Sequence, residues 1–149
     1  MPNLTFEETL DNFSIHGHAV FSIHEVVGAT GTIPADNIIR TDQQWHCHFH
    51  WHTLGGLNYL ICGKWKLSVL LEKWGGEEFT LPNNEITVDF VNAPNTYNAL
   101  ISVPAGLVPA GAYKPVVIVT MEGPTGVPGP IAAFGEGSMM QFYDVGTGL

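Results

Sequence analysis

Basic residues are scarce in this sequence: Arg40, Lys64, Lys66, Lys73 and Lys114 stand against 14 Asp and Glu, for a formal charge of −9. A chain with no basic field has nothing to hold a phosphate backbone, which excludes nucleic-acid binding. Charge of either sign is sparse too, at 13% of residues against 45% apolar, so the composition argues against disorder and leaves much of the surface uncharged. Two cysteines are too few for a disulfide framework, and 149 residues are enough to bury a core without one. Nowhere do eighteen apolar residues run together, and Met1 to Glu8 has neither the cationic nor the apolar region of an export signal. The expectation is a soluble chain without membrane association, cytoplasmic by default. An extracellular chain whose leader has been trimmed is the alternative.

Reactive motifs are also missing. No serine sits in a nucleophile elbow, and Glu77 and Glu78 are adjacent on an alternating segment, so they cannot face one site as an acid/base pair. His48-Phe49-His50 is an HxH pattern, but no glutamate follows within a few residues and no histidine follows His52. A cupin-type metal motif requires both. The first reading is therefore non-enzymatic, and its alternative is a metal-binding protein or metal-dependent enzyme that uses His48, His50 and Cys62.

What the chain has instead is histidine, all seven of them between His16 and His52. In Trp45-His46-Cys47-His48-Phe49-His50-Trp51-His52 they alternate with large apolar residues or cysteine. Successive side chains of a strand point to opposite faces, so one face carries four imidazoles and the other packs a core. Residues 14–24 repeat the pattern, with Ile15, Gly17, Ala19, Phe21 and Ile23 on one parity and His16, His18, Val20, Ser22 and His24 on the other. Further alternating runs fall at 61–72, 85–90 and 97–103. Residues 113–121 are nearly all apolar on both parities and read as a central strand. Segments 131–134 and 139–143 supply a last pair, and Gly/Pro-rich turns separate all of these. The fold expected is an all-β, single-domain antiparallel β-sandwich over 1–149, jelly-roll or immunoglobulin-like, with seven to nine strands. Thr5 to Phe13 fits either a short N-terminal helix or a strand.

Imidazoles two apart on a strand lie about 7 Å apart at Cα and can converge on one zinc, copper or nickel ion if a neighbouring strand adds a ligand. If the 45–52 and 61–72 strands form a hairpin with Cys47 opposite Trp65, then His50 faces Cys62 and His48 faces Lys64. The candidate site is then His48, His50 and Cys62, completed by His16 or His18, with His46 and His52 on the same face. Used without metal, the same face is an interface for a homo-oligomer or a protein partner. It is sensitive to pH because seven protonations would take the formal charge from −9 to −2. Trp51, Trp74 and Tyr97, near strand ends, give a third reading as a carbohydrate-binding module.

Overall fold

The computed structural model describes residues 4–7, 14–24, 38–75, 79, 81–82 and 84–144. Its strands are β1 (Thr5–Glu7), β2 (Ser14–His24), β3 (Ile38–Arg40), β4 (Trp45–Leu54), β5 (Lys64–Lys73), β6 (Glu85–Asp89), β7 (Thr96–Val103), β8 (Gly111–Glu122), β9 (Pro128–Glu136) and β10 (Met140–Tyr143). One 3₁₀ turn, η1 (Gly56–Tyr59), follows β4, and the described residues contain no α-helix. The chain is thus all-β, as its alternation requires. The ten strands among the described residues exceed the seven to nine expected because β1 and β3 are three-residue strands too short to show a period. Residues 5–7 take the strand alternative, and 8–13 lie outside the described residues.

Two sheets share the core. The smaller has the order β2-β4-β7, antiparallel throughout. The larger has seven strands built on β8, which pairs with β5 along one edge and with β10 and then β9 along the other; β6, β3 and β1 lie beyond β5, β10 and β9. The apolar 113–121 segment is therefore central, as its composition implies. Pro115 sits where the partner of β8 changes, between Tyr113 paired to β10 and Val116 paired to β9. Its missing N–H falls in that gap, while its carbonyl accepts from the Gly137 N–H at 2.9 Å.

Between the sheets lie Trp45, Cys47, Phe49 and Trp51 of β4 and Trp65, Leu67, Val69 and Leu71 of β5, all buried. Aromatic rings lock both ends of this core. At one end Trp51 stacks on Tyr97 at 5.1 Å and meets Trp65 edge-on at 5.5 Å, with Phe90 5.7 Å from Trp65. At the other, Phe142 lies 5.6 Å from Trp45 and 5.5 Å from Tyr113, whose hydroxyl donates to the Pro109 carbonyl.

The expected hairpin of the 45–52 and 61–72 strands does not form. β4 pairs with β2 and β7, whereas β5 belongs to the other sheet between β6 and β8. Alternation fixes which face of a strand is buried but not which sheet the strand joins. Two strands facing each other across a core satisfy the same pattern as two strands side by side. The crossing is made through η1, where the fully buried Asn58 donates from Nδ2 to the carbonyls of Leu54 at 2.8 Å and Gly55 at 2.9 Å.

Candidate functional site

Every histidine of the chain belongs to the smaller sheet, on β2 or β4. The register places His24 opposite His46 and His16 opposite His52, with Ser22 and Val20 opposite His48 and His50. Two residues are added to β2 between His16 and Val20, where the ladder shifts. On its other side β4 meets Ser102, Leu100, Asn98 and Thr96 in the same order from His46 to His52. His46 and His48 are buried, at 2% and 6% exposure, and His50 and His52 are half-buried. The imidazoles of β4 are thus graded from covered to open along the strand. His50 Nδ1 lies 2.8 Å from Asn98 Oδ1. With the amide oxygen accepting, the proton sits on Nδ1 and the lone pair on Nε2.

Cys62 is not part of this face. It is exposed, precedes β5, and lines a mostly apolar cleft of about 410 Å³ at the end of the larger sheet with Leu57, Ile61, Met121 and Ile131. Cys62 leads into a strand of the other sheet, so the strand pairing that was to set it opposite His50 does not form. Lys64 and Lys66 likewise belong to the other sheet. The Lys66 ammonium lies 3.4 Å from Glu85 and 3.5 Å from Glu122, and these carboxylates, Glu85 first, raise its pKa. Cys47 is fully buried, and desolvation pushes its thiol far up, leaving it an inert part of the core. Among the described residues no three His, Cys, Asp or Glu side chains are gathered as metal ligands.

The aromatic residues named for sugar stacking fare differently from one another. Trp51 and Tyr97 are core, at 0% and 4% exposure, whereas Trp74 is 75% exposed. A single open ring remains of that proposed platform.

The distribution of charge is the feature that the strand-by-strand reading missed. None of the five Lys and Arg or 14 Asp and Glu lies on β2, β4 or β7, so the smaller sheet has no formally charged residue at neutral pH. The larger sheet, by contrast, carries ion pairs such as Lys66–Glu85 and Lys114–Glu136, the latter at 2.9 Å. Thr96, Asn98, Leu100 and Ser102 of β7 are all exposed, Leu100 at 41%. The signal was present in the sequence as three strand segments without Asp, Glu, Lys or Arg. It becomes informative only once the three are known to be neighbours.

No family model matches the chain, and no curated protein is similar to it. Among solved structures it is similar to the CARDB domain of the PF1109 protein from Pyrococcus furiosus, crystallised in complex with di-metal ions. The two share 12% identity over 93% of this chain and 100% of that one, with a TM-score of 0.44. No helix among the described residues is long and apolar enough to cross a membrane.

Proposed function

We propose that this chain is a single-domain, non-enzymatic binding and assembly module whose contact surface is the β2-β4-β7 sheet. The observation that carries this reading is the absence of any formal charge on that sheet in a molecule of charge −9. Like-charged copies repel through their acidic surfaces, and the uncharged sheet is the face that can be desolvated at least cost. The histidines make the contact sensitive to acid. Protonation adds positive charge to this sheet and to no other, and at His46 and His48 it must also meet the cost of charging a buried ring. Light scattering from pH 8 to pH 5 is expected to show association falling as pH falls, although the formal charge shrinks towards −2. Association that instead rises on acidification would put the contact on the acidic surfaces and remove this reading.

A second reading, metal modulation of the same sheet, is favoured by the Asn98 contact. It orients the His50 ring and leaves Nε2 as a donor, the arrangement a metal-bound imidazole usually has. His52, two residues on, and His16 opposite it are candidates for further ligands of zinc, copper or nickel. Zinc titration of chelator-treated protein is expected to show binding that His50→Ala weakens at least tenfold. Equal zinc affinity in the variant would end this reading.

A further inference from the structure

The partner that the smaller sheet is built to meet can be read from its edge. The Thr53 N–H donates to the Asn95 carbonyl at 2.9 Å, extending the β4–β7 ladder by one pair beyond Thr96. In an antiparallel ladder hydrogen-bonded pairs alternate with non-bonded ones. Tyr97, Ala99, Ile101 and Val103 therefore direct their backbone groups to β4, and Thr96, Asn98, Leu100 and Ser102 direct theirs away from it. Among the described residues no strand pairs with that outer edge.

Edges of this kind are usually protected. β1 and β3 are only three residues long, β6 has Glu85 and Asp89 at its ends, and the β2 ladder is interrupted by its bulge. β7 has eight residues, no proline, no bulge and no charge. A charged or proline-bearing strand from another protein could be refused by such an edge only through its own chemistry. A second β7 brings neither charge nor proline.

We propose that β7 pairs antiparallel with β7 of a second copy about a two-fold axis at Ala99, giving a continuous β2-β4-β7-β7-β4-β2 sheet. This rests on the reading of the smaller sheet as the contact surface and deepens it. The outward residues are even-numbered, so a register that bonds even to even has Thr96 opposite Ser102, Asn98 opposite Leu100 and Ala99 opposite itself. That register uses every outward group of the strand, for about eight inter-chain hydrogen bonds. Ala99 falls at a non-hydrogen-bonded pair, where Cα atoms approach to about 4.5 Å and the two alanine side chains lie side by side. The Asn98 amide, held by His50, stands beside the new contact and ties it to the histidine strand.

The register is tested with Ala99→Cys in a Cys62→Ser background, oxidised with glutathione at pH 7.5. Two cysteines at a non-hydrogen-bonded pair are within disulfide reach, so a covalent dimer is expected. Ser102→Cys in the same background should give none, because the two thiols would be about 20 Å apart along the strands. Leu100→Pro removes an outward N–H and should abolish the dimer while leaving the thermal unfolding of the chain cooperative. A wild-type dimer that Ala99→Cys fails to cross-link, or that survives Leu100→Pro, would overturn edge pairing yet leave the sheet as a contact surface. Wild-type protein that stays monomeric at every concentration would overturn both.

Discussion

Replacing Trp51 by alanine is expected to lower the free energy of unfolding by about 3–5 kcal/mol, among the largest effects of any single side chain. Trp51 is fully buried and is one of the residues through which the smaller sheet grips the larger one. Its ring stacks on Tyr97 of its own sheet and meets Trp65 of the other edge-on, and Trp65 and Tyr97 are themselves 5.6 Å apart. Tyr97 is fixed in turn by the Val91 N–H, which donates to its hydroxyl at 2.9 Å. Removing the indole leaves a void lined by rigid rings that cannot collapse into it. The cost is thus expected at the upper part of the range for aromatic truncation. Against a total stability of about 5–15 kcal/mol for a domain of this size, the change should be plain in urea unfolding as a lower midpoint at similar slope. A loss below about 1 kcal/mol would show that the ring cluster does not hold the sheets together.

The second large effect is expected at Gly63, the residue that turns the chain into β5. Its φ of +141° is one that side chains rarely adopt, and a Cβ there would lie 2.1 Å from the Glu122 carbonyl oxygen. Neither partner can easily give way. The Gly63 carbonyl accepts from the Phe90 N–H at 3.0 Å, and Glu122 is paired with Lys64 at the end of the β5–β8 ladder. Gly63→Ala should therefore cost about 3 kcal/mol, from strained backbone and a forced shift of β8 together. Gly56 is the control. Its added Cβ would meet nothing within 4 Å, and Gly56→Ala should leave stability within about 0.5 kcal/mol of the parent. Equal melting curves for the two variants would contradict the close approach at Gly63.

These two residues also mark where the sequence is legible and where it is not. The alternation around Trp51 and Trp65 announces strands with a buried and an open face; β5 has both, whereas on β4 the histidine face is itself covered, with His46 and His48 buried and His50 and His52 half-buried. The apolar 113–121 segment announces a central strand, and β8 is one. Partnership is different, because it depends on which sheet each strand enters. Trp51 and Trp65 have the parity of hairpin neighbours yet face each other across the core, and Gly63, which turns the chain into β5 after the crossing, is one of 17 glycines with no local pattern to single it out. The candidate site followed the assumed pairing, so Cys62 was brought to the histidines by a hairpin that does not exist. The histidine face itself needed only strand parity and is present on β4. Its neighbours Asn98 and Leu100 come from 48 and 52 residues away, beyond the reach of any local period.

Whether the uncharged smaller sheet joins copies of this chain is decided by sedimentation equilibrium of the wild-type protein at pH 7.5. The expected result is a concentration-dependent mass rising from the 16.2 kDa of one chain to twice that value and no further. A single species of one chain mass across the whole concentration range would contradict it.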